Sequence, residues 1–310
     1  MPSDSHPILS VIVTIVGGTP YLHRCLDRLL PQTESRAIEV IVPYDSTANG
    51  IEELKIAFPQ VVFSSMGVVK TDAPPGTQQA AHEMFDRRTA AGLNVARGEI
   101  LALLQDYGAP DPNWCEQVLE AHRLPYGVIG GAVEHEGKGV LNWAVYFLDF
   151  GRYQLPLPEG PTDYLTDVNV SYKREALESV RYLWTERYKE VTVNWALSKK
   201  GVVLWQRPQI VVWQDRGKLS FRHLVVERFS WGRLFGCIRT REISPLARFF
   251  YVALSPGIPL ILIARTAKKV FSTGRNRSNF MLSFPQLAAM TFCWCLGEFM
   301  GYLTGRESSA

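Results

Sequence analysis

The chain has 310 residues, of which 46% are hydrophobic and 20% charged, which suits a large globular core and excludes a disordered chain. Its net charge of +3 is unevenly placed: from Trp231 to Ala310 ten Lys/Arg face three Asp/Glu, and the remainder is mildly acidic. A basic, apolar tail behind an acidic body points to a membrane surface, and no basic patch interleaved with aromatics supports nucleic-acid binding.

The N-terminal stretch "MPSDSHPILSVIVTIVGG" lacks the positive start of a signal peptide and runs straight into strand-like sequence. "ILSVIVTIV" (Ile8 to Val16) is a continuous β-branched run, the pattern of a strand buried on both faces. Gly17, Gly18 and Pro20 end it, and apolar residues at 22, 25, 26, 29 and 30 then form a helical stripe. "IEVIVPYDS" is a second strand ending at Asp45, "GIEELKIAF" a helix, and "VVFSSM" a third strand. "HEMFDRRTAAGLNVA" is helical, and "EILALLQD" is a fourth strand ending at Asp106. This alternation predicts a doubly wound, mostly parallel α/β sheet with helices on both faces. Ligands in such sheets sit outside the carboxyl ends of the strands, so Asp45 and Asp106 are expected in one crevice.

Beyond Asp106 the pattern is less regular. "WCEQVLEAHR" reads as a helix, "GVIGGAVE" as a strand, and "YLTDVNVSYKREALESV" as an extended run leading into a helix. "KEVTVNWALSKKG" is a helix closed by Gly201, and "VVLWQRPQIVVWQ" reads as paired strands. Two apolar stretches follow, Phe249 to Ala264 and Phe280 to Leu303. Each is near the length that crosses ~30 Å of hydrocarbon, the first on the short side. Pro256, Gly257 and Pro259 preclude one unkinked helix in the first. Five cysteines, at 25, 115, 237, 293 and 295, fit no disulfide framework and suggest a reducing compartment.

Taken together, "SVIV", "YDST", "RRTAAGLNVARGEILALLQDYGAPDPNW" and "NVSYKREAL" resemble family 2 glycosyltransferases of the GT-A fold, over roughly Leu9 to Gly236. The tail's "CLGEFMGYLTG" resembles the ends of membrane-associated members. The resemblance implies a catalytic domain over 1–236 and a membrane-associated helical region over 237–310. It implies an inverting enzyme that takes a sugar from a nucleoside-diphosphate sugar. The acceptor would be a hydroxyl or phosphate, on a lipid or lipid-linked glycan at the cytosolic membrane face. A different class stays open: a degenerate sugar-nucleotide or glycan-binding partner of a glycan assembly system.

The same resemblance assigns roles. Thr14, Val16 and Asp45 would line the donor site, Asp45 on the base, with Arg88 (or Arg87) facing the nucleotide. The family's acid cluster falls on 105, 106 and 107, where this chain has Gln105, Asp106 and Tyr107. A divalent cation, Mg2+ or Mn2+, would neutralise the diphosphate as a Lewis acid, held by Asp106, with Gln105 contacting metal or ribose. Replacing both outer acids implies a weakened metal site. "NVSYKREAL" would place an Asn and basic residues near the donor sugar. Glu190, at a helix start, matches the catalytic base, with Asp167 and Glu186 as competitors. "VERFSWGRLFG" offers Arg228, Trp231 and Arg233 for the acceptor or diphosphate, or an interfacial helix.

Overall fold

The computed structural model describes residues 6–34 and 37–306. They form two compact units, 1–134 with 153–214 and 135–152 with 215–310.

The first unit begins with β1 (Leu9–Thr14), buried along its whole length. α1 (Thr19–Leu29) follows, burying Leu22, Cys25, Leu26 and Leu29, the stripe expected from sequence. Next come β2 (Ile38–Tyr44), α2 (Ile51–Ala57), β3 (Val62–Ser65), α3 (Gln78–Val95) and β4 (Ile100–Gln105). After them lie a short β5 (Gly108–Pro110), α4 (Trp114–Ala121) and β6 (Val128–His135). α5 (Val140–Asp149), which the sequence reading did not assign, belongs to the second unit. The first unit resumes with β7 (Gly160–Pro161), β8 (Asn169–Lys173), α6 (Arg174–Glu178), α7 (Glu190–Lys199) and β9 (Leu204–Gln214).

The sheet order is β3-β2-β1-β4-β8-β6-β9-β5, with β7 attached to β9. β3, β2, β1 and β4 run parallel, and β8 is antiparallel to both β4 and β6. Both faces of the parallel half are covered. Leu9, Val11 and Val13 of β1 pack with α1, α2 and α4, while Ile12 packs with α3, α6 and α7 on the other side. That period of two explains why β1 is buried without interruption and mostly apolar.

One expectation needs correction. "VVLWQRPQIVVWQ" is not a hairpin but one 11-residue strand, β9. The fixed φ of Pro208 lies within reach of extended backbone and does not turn the chain. The two ends of β9 meet different partners: Trp205 and Gln206 pair with β7, and Val212 to Gln214 with β5.

The second unit is helical: α5, α8 (Phe221–Thr240), α9 (Pro245–Leu254), α10 (Ile258–Thr273) and α11 (Arg277–Thr304). A tight turn over Ser255–Gly257 joins α9 to α10, as the Pro-Gly-Ile-Pro sequence requires. The first apolar stretch is nevertheless longer than expected. Helix continues past Arg265 to Thr273, so the run spans 29 residues and α11 spans 28. A charge ends an apolar run without ending a helix. Both runs are long and apolar enough to cross a membrane.

Candidate functional site

The carboxyl ends of β1, β2 and β4 lie side by side, and β8 enters from the same edge because Leu104 of β4 is paired with Asn169. The chain positions expected to carry chemistry therefore converge there: Asp45 after β2, Asp106 after β4, and Asp167 two residues before β8.

Asp45 is 1% exposed. Its Oδ1 accepts from Thr47 N (2.9 Å) and Thr47 Oγ1 (2.6 Å), and its Oδ2 accepts from Arg88 Nε (2.6 Å). Burial pushes this carboxyl up, but the Thr47 and Arg88 hydrogen bonds outweigh it and hold the group below the usual range. Arg88 also donates to Ile15 O (2.8 Å) and Thr47 Oγ1 (3.1 Å). α3 brings it there because Gly92, one turn on, lets the helix close on β1: a Cβ at Gly92 would lie 2.5 Å from Ile12 Cγ2. Arg88 thus joins the ends of β1 and β2. Thr14 is 1% exposed and shares a 3.0 Å hydrogen bond with Thr89, which turns its hydroxyl into the core. Val16 is 44% exposed and lies open at the crevice edge.

Asp106 is fully buried. Gly17 N donates to both its oxygens (3.0 and 2.9 Å) and Gly18 N to Oδ2 (2.8 Å). Burial pushes it up to about 6, opposed by these amides and by those of Val16 and Tyr107. Gly18 caps α1, so the carboxylate sits at that helix's positive end. Gln105, half-buried, ends β4. The Tyr107 ring lies over Gly17 and edge-on to Tyr21, with centroids 4.8 Å apart.

Glu190 opens α7, and its Oε2 accepts from Asp167 N at 3.1 Å. Both residues are half-buried, and the contact joins the Glu190 carboxylate to the backbone amide of Asp167. Burial pushes Asp167 up to about 7. Behind them, Tyr172 and Tyr188 share a hydroxyl contact of 2.5 Å, and Tyr172 donates to Asn194 Oδ1 at 3.1 Å. Both tyrosines feel the charges of Glu190 and Asp167, which with burial push them up. The sequence reading missed these tyrosines and Asn194, since they lie 16 to 22 residues apart along the chain. Glu186 is exposed, four residues before α7.

The donor-sugar segment departs from expectation. Asn169 is 1% exposed and ties Trp114 Nε1 (2.9 Å) to the carbonyls of Ala132 (2.8 Å) and Ile210 (2.9 Å). Lys173 and Arg174 bind the carbonyls of Leu124, Gly98 and Ala96 at the amino end of β4. Because β8 is antiparallel to β4, these two cations lie at the far end of the strands from the crevice.

In the second unit Arg228 is 3% exposed and binds Asp149 at 2.6 Å, and Arg233 donates to Arg306 O at 3.1 Å. Arg216 bonds Glu227 at 3.0 Å, so Arg228, Asp149, Arg216 and Glu227 form an internal ion-pair network. Trp231 is half-buried.

The mannosyltransferase PcManGT from Pyrobaculum calidifontis, solved with GDP-Man and Mn2+, superposes with a TM-score of 0.56 at 14% identity, over 93% of this chain and 86% of that one. The fold is that of a glycosyltransferase. The GT-A-like sheet expected from sequence is therefore borne out. S. aureus TarS 1–349, in complex with UDP-GlcNAc, aligns with a TM-score of 0.47 at 11% identity, over 71% of this chain and 65% of that one. No family model and no curated protein matches the chain.

A cation at the expected position would need carboxylate oxygens pointing into the crevice. Asp106 points both of its oxygens at backbone amides, Gln105 brings no charge, and Tyr107 brings a ring. Among the described residues no group of three or more His, Cys, Asp or Glu could hold a metal. The residues present do not fit the Mg2+ or Mn2+ that the family resemblance implies.

Proposed function

We propose that the protein is an inverting glycosyltransferase of the family 2 type, using a nucleoside-diphosphate sugar. The observation that carries this reading is the Glu190 carboxylate, held by the Asp167 amide beside the ligand-binding edge of a glycosyltransferase-fold sheet. Glu190 takes the proton of the acceptor hydroxyl. The acceptor oxygen attacks the anomeric carbon, and the bond to the nucleotide breaks with its electron pair on the diphosphate. Asp45 acts through Thr47 and Arg88, shaping the pocket where the base sits. Val16 and Gln105 line the donor, and Trp231 is the half-buried aromatic residue of the tail trio proposed for the acceptor. The acceptor is a lipid or lipid-linked glycan, because the apolar helices hold the protein at a membrane.

A second reading, a sugar-nucleotide-binding partner without turnover, draws on Gln105 and Tyr107 standing where the resemblance places acids. One experiment separates the two. Thermal-shift screening of nucleoside-diphosphate sugars finds the donor, and hydrolysis or transfer is then measured for the wild type and Glu190→Gln. The expected outcome is retained donor binding with turnover lowered on the order of 10²–10⁴. Binding with no turnover in the wild type establishes the partner reading, and normal turnover in Glu190→Gln removes Glu190 as the base.

A further inference from the structure

Asp106 has a position that the metal expectation does not explain. It is fully buried, and its carboxylate receives Gly17 N and Gly18 N in three contacts of 2.8 to 3.0 Å. Those amides belong to the loop between β1 and α1, whereas Asp106 follows β4. The carboxylate therefore ties two neighbouring crevice loops together. Tyr107 completes the tie from the other side. A Cβ on Gly17 would lie 2.4 Å from the Tyr107 ring, so any larger residue at 17 would have to displace that ring. Tyr21 packs edge-on to the same ring, and Arg24 Nη2 donates to Tyr107 O at 2.7 Å. Three residues of α1 or its lead-in thus engage Tyr107, at a position where a cation-binding site would need a carboxylate.

We infer that Asp106 is the anchor of the β1–α1 loop and that the chain binds its nucleotide without a divalent cation. This rests on the donor reading above for the nucleotide, and on geometry alone for the anchor. A carboxylate that satisfies two backbone amides at a helix end would have to give up those three contacts to turn toward a cation. Nor do its neighbours add a second carboxylate, since one is an uncharged amide and the other a packed phenol.

The test uses the full chain in detergent. GDP and UDP are titrated by calorimetry in excess EDTA and in excess Mn2+, and melting is followed for the wild type and Asp106→Asn with and without Mn2+. The expected results are nucleotide affinities equal within about twofold in the two media, a wild-type Tm that Mn2+ leaves unchanged, and a Tm several degrees lower in Asp106→Asn. Nucleotide affinity that rises tenfold or more with Mn2+ overturns the inference. So does a wild-type Tm that Mn2+ raises and Asp106→Asn no longer responds to. If neither nucleotide binds in either medium, the donor reading fails, and the melting comparison still decides the role of Asp106. If Asp106→Asn does not fold, the anchor is supported, and the EDTA comparison on the wild type decides the cation.

Discussion

Asp45 and Arg88 form an ion pair whose side chains are all but excluded from water, 2.5 Å apart at the closest approach. Such a pair contributes little against an apolar substitute, but breaking it from one side strands a buried charge, at about 3–5 kcal/mol. Arg88→Gln is therefore expected to lower stability by that amount at neutral pH. The pH dependence follows from the direction of the Asp45 shift. Its folded pKa lies below the unfolded value, so its stabilisation is complete above the ordinary aspartate pKa and is lost as pH falls through the lower folded value. In Arg88→Gln the stranded carboxylate is relieved by protonation. Urea unfolding of both proteins should show the gap between them narrowing below about pH 4. A gap that stays constant with pH would show that Arg88 does not act through the charge of Asp45.

At the level of elements, the closest approach among the described residues of the second unit is between α8 and α11. Each carries a Gly-x-x-x-Gly: Gly232 and Gly236 on α8, Gly297 and Gly301 on α11. A Cβ on Gly232 would lie 2.0 Å from Trp294 O, and one on Gly297 would lie 2.0 Å from Phe229 O. The second pair is nearly as tight, 2.4 Å from Glu298 O and Arg233 O. These are backbone atoms, so no side-chain rotation relieves the clash. Small residues at this spacing let two helices touch backbone to backbone, the arrangement used where lipid gives no hydrophobic drive for pairing. Gly297→Ala is expected to cost about 1–3 kcal/mol, and Gly297→Leu to abolish the pairing. Leu282, 67% exposed on the same helix, serves as the control, since its truncation to Ala removes no packing. Thermal unfolding in detergent measures all three. Equal melting of Gly297→Leu and the control would mean that the crossing does not hold the unit together.

For the whole molecule the question is how the tail meets the membrane. Only 11% of the most apolar window in 245–273 is buried within the protein, which argues against a soluble core helix. Phe249, Leu254, Leu260 and Ile261 are all more than 60% exposed. Yet Arg265, Lys268 and Lys269 lie in the second half of α10, and Arg275 and Arg277 at its joint with α11. If both runs crossed the bilayer and the catalytic body faced the cytosol, as proposed, that joint would lie on the far side, against the positive-inside tendency. Glu298 does not decide the matter, because it is buried and accepts from Tyr302 at 2.7 Å. A monotopic arrangement, with the runs in the interface or dipping into one leaflet, keeps all five cations at cytosolic headgroups. Lys269→Cys in sealed, right-side-out vesicles is expected to resist an impermeant thiol reagent. The native cysteines are replaced first. Labelling from outside would show a spanning chain instead.

The parallel half of the fold was legible in the sequence because burial on both faces writes itself as an uninterrupted apolar run, as in β1 and β4. The α1 stripe at 22, 25, 26 and 29, the Asp45 turn and the helix opened by Glu190 were legible for the same local reason: period, cap and turn are short-range. What the sequence could not determine is where a side chain's hydrogen bonds go. Asp106 reads as a strand-end acid facing a ligand, and its partners Gly17 and Gly18 lie 89 and 88 residues away. Lys173 and Arg174 read as cations beside a donor, and strand direction put them at the opposite end. Arg228 and Arg233 read as a pair of cations for a ligand, but Arg228 is held by Asp149 and Arg233 by the Arg306 carbonyl. β9 reads as two strands because Pro208 looks like a turn, until separate partners for its two ends make it one. Each of these outcomes depends on which distant backbone groups the fold brings within about 3 Å, and hydropathy and spacing carry no record of that distance.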